Sequence, residues 1–184
     1  MKRLFVIPVF AIALIACSAA TAFAQKTVMV GGAAMYPARN IVENAVNSKD
    51  HTTLVAAVKA AGLVETLQSP GPFTVFAPTN AAFNMLPAGA VDNLLKPENK
   101  SRLSSVLTYH VVSGLLDSKM LMDKVKAGNG MATLKTVQGE ALTVWQKGKN
   151  LMVKDMKGNS ALVTIKDVYQ KNGVIHVINT VLMP

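Results

Sequence analysis

The sequence predicts an α+β domain in which several short helices pack on a strand-rich core. As far as about residue 128, apolar residues recur mainly at helical spacing. From Met131 onward they alternate with polar residues at the period of two that strands show. Gly and Asn-Gly sequences, which favour tight hairpins, separate these later runs. Roughly the last 50 residues are therefore predicted to form an antiparallel meander behind the helices.

The composition is that of a folded domain with a sizeable core. The chain has 184 residues, of which 51% are hydrophobic and 16% charged, and this balance excludes a disordered chain. The length predicts a single domain. A lone cysteine, Cys17, excludes both an intramolecular disulfide and a metal site built from several cysteines.

Residues 1–24 have the features of an export signal. Lys2 and Arg3 supply a positive start, and the apolar run Leu4–Ala16, of 13 residues, is too short to span a bilayer comfortably. Small residues at positions 22 and 24 predict cleavage before Gln25. The mature chain would then be secreted or periplasmic and would contain no cysteine.

A lipoprotein is an alternative interpretation of the same leader. Leu14-Ile15-Ala16-Cys17 resembles the bacterial lipobox, in which the cysteine is acylated and becomes the new N-terminus. The protein would then be an outer-membrane lipoprotein whose only membrane contact is the lipid on Cys17. An uncleaved anchor over residues 4–24 is a third interpretation.

Helical spacing and end signals predict six short helices before residue 131. Pro37 suits the first position of a helix, and Gly62 suits the position just after one. Thr79 or Asn80 can cap the N-terminus of another helix. The helices are expected at residues 37–46, 50–62, 79–86, 91–95, 97–107 and 117–128.

Two short extended segments are expected among these helices. Phe73–Ala77 consists of strand-favouring residues apart from its alanine, and residues 109–112 form the second segment. Adjacent residues of a strand point to opposite faces, so Tyr109 and His110 would not act together as a dyad. If His110 is buried, one ring nitrogen should donate to a carbonyl and the other should find a donor.

Five strands are expected in the meander. Their separators are Gly-containing turn sequences, such as Asn172-Gly173 before the last strand. The run Val174–Leu182 is almost continuously apolar, as expected for a central strand that is buried on both faces. The strands are predicted at residues 132–136, 141–145, 151–153, 161–168 and 174–182.

The sequence contains no motif for hydrolase, metalloprotease, dithiol redox or P-loop chemistry. The protein is therefore predicted to be no enzyme and to use no metal or cofactor. His51 follows a capping position and is expected to be exposed, whereas His110 and His176 are expected to be hydrogen-bonded structural groups. The nine methionines after residue 24 are dispersed, which favours filling of the core over copper binding.

Lysine dominates the charge of the second half of the chain. Residues 117–184 contain ten lysines, no arginine and five acidic residues. The lack of arginine and the export signal argue against a nucleic-acid partner. Two interpretations remain, a solubilising face or a surface that attracts polyanions such as acidic polysaccharide or anionic lipid. The candidate polyanion contacts are Lys147, Lys149, Lys154 and Lys157.

Three ordered motifs resemble those of fasciclin (FAS1) domains. Gly71–Phe83, with the sequence GPFTVFAPTNAAF, resembles the first signature of that family, and Tyr109-His110 resembles its Tyr-His motif. Asn172–Ile178, together with Val181–Pro184, is similar to the second signature. The likeness predicts that residues 37–184 form one FAS1 domain and that residues 25–36 are an N-terminal extension.

The resemblance implies a wedge of mostly antiparallel strands flanked by several short α-helices. It also implies a non-enzymatic role in adhesion, through contact with a protein or polysaccharide at a cell surface or in the extracellular matrix. A periplasmic module that binds a small ligand or a metal is the alternative function. Asn179 stands where the family usually has Asp, so it can make only neutral hydrogen bonds. The motif residues that become candidate contacts are Tyr109, His110, Val111, Thr79, Asn80, His176 and Asn179.

Overall fold

The computed structural model describes residues 27–184, and the predicted leader with its two candidate processing sites lies outside the described residues. Nine β-strands form in this part of the chain: β1 Val28–Val30, β2 Ala33–Met35, β3 Phe73–Pro78, β4 Val111–Ser113, β5 Met131–Lys135, β6 Ala141–Lys147, β7 Asn150–Lys154, β8 Ser160–Gln170 and β9 Gly173–Ile178. Seven α-helices accompany them: α1 Ile41–Ala45, α2 Thr52–Ala61, α3 Val64–Gln68, α4 Asn80–Asn84, α5 Ala90–Leu95, α6 Lys100–Tyr109 and α7 Ser118–Ala127. Short 3-10 turns at Lys49–His51 and Pro97–Asn99 precede α2 and α6.

Seven strands form one sheet in the order β4-β3-β9-β8-β7-β6-β5. Neighbours from β5 to β9 are antiparallel, so the predicted meander and the α+β class are confirmed. The exception to antiparallel pairing is β3 with β9, which run parallel. An isolated bridge between Val112 and Thr136 links the two edges, so the sheet almost closes on itself.

Strand β9 lies inside the sheet, between β3 and β8, and all six of its residues are buried. This burial on both faces confirms the expectation drawn from its apolar run. The strand ends at Ile178 rather than continuing to Leu182, because Asn179 turns its side chain to the backbone of Leu162 and residues 179–184 leave the sheet.

Two apolar cores lie on opposite sides of β3 and β9. The first packs helices α1, α2, α3 and α6 against one sheet face that includes Val75 and Ile175. The second packs α7 against Phe76, Ile178 and the inward side chains of β5 to β8. Alternate residues of one strand therefore belong to different cores, as the period of two requires.

The N-terminal segment differs from expectation in two ways. Residues 28–35 form a hairpin that turns at Gly31 and Gly32, whose φ angles are +57° and +76°. The first helix begins at Ile41 and not at Pro37. Its start is set by a reciprocal capping box, in which Asn40 and Glu43 each accept the other's backbone N–H.

The expectation of an extended chain at Tyr109 and His110 was wrong. Tyr109 is the last residue of α6 and His110 is its C-cap, so β4 begins only at Val111. The buried residues Leu103, Val106 and Leu107 hold α6 against the core through its final turn. This packing overrides the extended preference of the local sequence.

Two expectations about burial were also wrong. His51 is buried, with 3% of its surface exposed, because the short turn that contains it packs against α2 and α4. The methionines do not mainly fill the core, since Met35 is the single one that is buried within residues 27–184. The exposed ones are Met29, Met85, Met120, Met131 and Met156.

Candidate functional site

Tyr109 and His110 join three segments from within the core. The Tyr109 hydroxyl donates to the Ala141 carbonyl at 2.9 Å and accepts the Met156 N–H at 3.1 Å. The two aromatic rings meet edge to face with centroids 6.5 Å apart. Burial raises the pKa of Tyr109, so the phenol remains protonated at neutral pH.

His110 makes the two hydrogen bonds expected of a buried imidazole. Nδ1 lies 2.8 Å from the Val106 carbonyl and therefore donates to it, while Nε2 accepts the Leu182 N–H at 3.0 Å. Burial lowers the pKa of His110 to about 4, which keeps the ring neutral. Val111 is buried as well, and its carbonyl accepts the Val137 N–H at 2.7 Å. These three motif side chains thus offer almost no surface to a partner.

Thr79 and Asn80 stabilise helix starts. The Thr79 hydroxyl accepts the Ala82 N–H in the first turn of α4. The side-chain oxygen Oδ1 of Asn80 accepts the Thr53 N–H at 3.0 Å, and the side-chain Nδ2 donates to the Lys49 carbonyl at 2.8 Å. Asn80 thereby caps α2 from a segment 27 residues away.

His176 and Asn179 belong to the same internal framework. His176 stacks on Phe76 with centroids 5.7 Å apart, and its Nε2 lies 2.9 Å from the Leu116 carbonyl. Burial lowers the pKa of His176, although the Leu116 carbonyl and Asp167 oppose the shift. The Asn179 side-chain oxygen accepts the Leu162 N–H at 2.8 Å, a contact that a neutral amide supports.

The four candidate lysines are exposed and lie around one surface of the sheet. Lys147 and Lys154 end β6 and β7, while Lys149 and Lys157 lie in the turns that follow those strands. The inward side chains of β5 to β8 contact α7 and the second core, so the opposite side chains face solvent. We call this solvent side the outer face. Its cross-strand positions are Met131, Thr133, Lys135, Ala141, Thr143, Trp145, Lys147, Asn150, Met152, Lys154, Ser160 and Leu162.

A row of large apolar side chains crosses the middle of the outer face. Met131 pairs with Trp145, Trp145 with Met152, and Met152 with Leu162. Met131 is 60% exposed, and the other three are half-buried. The other positions of the outer face include three lysines and no acidic residue. An aromatic centre with a charged rim is typical of interaction surfaces. The row cannot be predicted from the sequence alone, because its four residues become neighbours only through the strand register.

Most acidic residues between positions 117 and 184 accept hydrogen bonds from backbone N–H groups within the fold. Asp117 caps α7 by accepting the Met120 N–H at 2.7 Å, and Asp167 accepts the Ser118 N–H at 2.6 Å. Asp155 is buried and accepts the Met183 N–H at 3.0 Å. All ten lysines of this half are exposed, whereas only Asp123 and Glu140 are exposed acids. The surface is therefore more one-sidedly positive than the formal charges indicate.

Few groups are available to neutralise this positive surface. Between residues 27 and 184 the one ion pair joins Lys119 to Asp123, at 3.1 Å within α7.

The same part of the chain contains no group of three His, Cys, Asp or Glu side chains that could hold a metal ion. None of its helices has the length and apolar character needed to cross a bilayer.

Comparisons with known proteins identify the family. The model of the Fasciclin domain matches residues 49–184. Protein sll1483 of Synechocystis sp. is 49% identical over 162 residues, which are 87% of this chain and 82% of that protein. The cell surface glycolipoprotein MPB83 of Mycobacterium bovis is 38% identical over 160 residues, which are 84% of this chain and 64% of that protein.

A solved structure agrees with the fold. The FAS1 domain pair of the insect cell adhesion molecule fasciclin I superposes with a TM-score of 0.54 at 23% sequence identity, covering 71% of this chain and 43% of that one. The family match covers well over half of the chain. Residues of all three sequence motifs form hydrogen bonds within the fold. This chain belongs to the fasciclin domain family.

Proposed function

We propose that this protein is exported and binds anionic polymers of a cell surface or extracellular matrix, without catalysis, through the outer face of β5 to β8. The outward lysines and inward carboxylates of residues 117–184 carry the proposal. Family membership supports a non-catalytic role in adhesion, as the sequence motifs imply. The partner would be an acidic polysaccharide or a protein that displays acidic groups.

Binding would use two kinds of contact. Lys135, Lys147 and Lys154 on the face, with Lys149 and Lys157 in the adjoining turns, would attract the polymer and hold its charges. Trp145, at the centre of the apolar row, would supply a flat hydrophobic contact. Single attachments of this kind are weak, so display of many copies on one surface would strengthen adhesion.

Processing of the leader decides whether the protein is displayed in that way. We expect a mature mass that begins at Gln25 in the soluble fraction of the native host. A membrane-bound species that begins at an acylated Cys17 would instead make the protein a tethered adhesin. The name of MPB83, a cell surface glycolipoprotein, is consistent with surface display of a relative.

The polyanion contact is tested by measuring binding of the purified protein to immobilised alginate, an acidic polysaccharide, and to neutral dextran. A variant with Gln at positions 147, 149, 154 and 157 should bind alginate roughly tenfold more weakly, with a shallower salt dependence. The matched control replaces Lys49, Lys59, Lys96 and Lys100, which are exposed in the other half. Because it loses the same charge elsewhere, it should retain most of the affinity.

A second variant tests the apolar row separately. Trp145→Thr keeps a strand-favouring residue and every lysine, so it should weaken binding without changing the salt dependence. Equal losses in the two lysine variants would show that only net charge matters and would favour the solubilising interpretation. Failure of the unchanged protein to bind any anionic polymer would refute the proposal.

A further inference from the structure

A cavity of about 80 Å³ lies between the first helices and the β3 and β9 side of the sheet. Its lining is almost entirely apolar and includes Val42, Val58, Phe76 and Ile175. Most lining residues belong to the first core or pack against it, but Lys59, Thr66 and Val137 are exposed. The cavity therefore reaches from the interior of the core toward solvent, on a different part of the molecule from the outer face.

His51 gives this apolar cavity an unsatisfied polar atom. The ring is buried, and its Nδ1 lies 2.9 Å from the Ser48 hydroxyl, while Nε2 has no hydrogen-bond partner. Burial lowers the pKa of His51, and the nearby Ala77 carbonyl opposes this shift. That carbonyl does not form a hydrogen bond with Nε2. His110 also lines the cavity, yet both of its nitrogens are paired. His51 is thus the imidazole that a ligand could satisfy.

Water is a poor occupant of such a space. A buried water molecule needs two to four polar partners to replace the bonds that it makes in solution. Here Nε2 of His51 would provide one, because its other ring nitrogen and the Ser48 hydroxyl already bond to each other. An unsatisfied buried nitrogen is itself unfavourable. An apolar molecule with one hydrogen-bonding group would fill the apolar space and also give Nε2 a partner.

We infer that this cavity binds a small, mainly apolar molecule that carries one hydroxyl group, and that the hydroxyl bonds to Nε2 of His51. A hydroxyl suits either tautomer, since it can accept from a protonated Nε2 or donate to an unprotonated one. Because nearly all of the lining is apolar, a charged headgroup held inside the cavity would lose its hydration at a high cost, which favours a neutral molecule. An apolar cavity of roughly 150 Å³ can hold benzene, so this smaller one suits a chain of a few carbons or the end of a longer molecule.

The test uses 1-butanol and 1-chlorobutane as probes, because they differ in the hydroxyl and little in size. Binding is followed by NMR titration of the whole protein, observing the His51 ring nitrogens and the amides that line the cavity. We expect 1-butanol to bind with a Kd on the order of 1 mM, at least fivefold more tightly than 1-chlorobutane, and to shift the Nε2 resonance of His51. Equal affinities, an unmoved Nε2 resonance or no binding would each overturn the inference.

Two variants locate the site. His51→Leu should abolish or reverse the preference for the alcohol while leaving 1-chlorobutane binding intact. Ala45→Leu places a larger side chain in the lining and should remove binding of both probes. Ala127→Leu, at the exposed end of α7, is the matched control and should bind both probes normally. If Ala45→Leu and Ala127→Leu bind the probes alike, the cavity is not the binding site.

Discussion

Nε2 of His110 accepts the backbone N–H of Leu182 at 3.0 Å, across 72 residues of sequence. Nδ1 of the same ring donates to the Val106 carbonyl one helical turn earlier, at 2.8 Å. The imidazole therefore fastens the end of α6 to the C-terminal segment beyond β9. The bond to Leu182 requires a lone pair on Nε2, so it exists only while the ring is neutral.

This arrangement predicts a loss of stability in mild acid. The pKa of His110 is about 4 in the folded protein and about 6.5 when unfolded, so between these values the unfolded chain binds more protons. The stabilisation is complete above pH 6.5 and is lost as the pH falls toward 4. From pH 7.5 to pH 5, His110 should lower the free energy of unfolding by about 2 kcal/mol, measured by urea denaturation. Burial also lowers the pKa values of His51 and His176, so they act in the same direction.

His110→Gln separates the contribution of this residue from that of the other two. The glutamine oxygen can still accept from Leu182 but does not titrate. The variant should be less stable at pH 7.5, because its packing is imperfect, and its stability should change with pH by about 2 kcal/mol less than that of the unchanged protein. An identical pH dependence in the two proteins would contradict the role assigned to His110.

Removal of the Tyr109 hydroxyl should destabilise the fold without changing its shape. Tyr109→Phe leaves the Ala141 carbonyl and the Met156 N–H without their partner, at a cost of about 1–3 kcal/mol in the free energy of unfolding. Tyr169→Phe is the matched control, because the half-buried Tyr169 makes one bond, to Asp117 at 3.2 Å. Equal losses in the free energy of unfolding would show that the two hydrogen bonds of Tyr109 stabilise the fold no more than the single bond of Tyr169.

Local patterns predicted most elements of this fold, because their causes lie within a few residues. Asp117 caps α7 and Gly62 ends α2 in a left-handed conformation, as the capping rules require. The alternation after Met131 predicted the meander, since each hairpin pairs neighbours in the chain. The parallel pairing of β3 with β9 was not predicted, because about 100 residues separate the partners and no local signal joins them.

The candidate site was harder to predict than the fold. The burial of His51 depends on packing between segments that are distant in the sequence, and its neighbours gave no sign of it. The Trp145 row depends on register across four strands, which alternation alone does not specify. The lysine excess was visible, but the inward use of Asp155 and Asp167 was not.

Asn80, the first residue of α4, should stabilise the fold by capping the start of a different helix, α2. Asn80→Ala removes the acceptor for the Thr53 N–H and the donor to the Lys49 carbonyl, and should lower the free energy of unfolding by about 1–2 kcal/mol. Asn80→Asp keeps the acceptor and should recover part of that loss. Urea denaturation of the three proteins measures the order, and equal stability of Asn80→Ala and the unchanged protein would contradict it.

Asn179 occupies a position at which the family resemblance places an aspartate. Its side-chain oxygen accepts the Leu162 N–H at 2.8 Å and the Thr180 hydroxyl at 3.2 Å, and both bonds need only an acceptor. Asn179→Asp should therefore keep the two bonds and, since a charged acceptor strengthens them, stabilise the fold by up to about 0.5 kcal/mol at pH 7. Asn179→Ala should destabilise it by about 1 kcal/mol, because the Leu162 N–H loses its partner. Thermal unfolding of both variants measures the difference, and a destabilised aspartate variant would show that the amide nitrogen of Asn179 is needed in the folded protein.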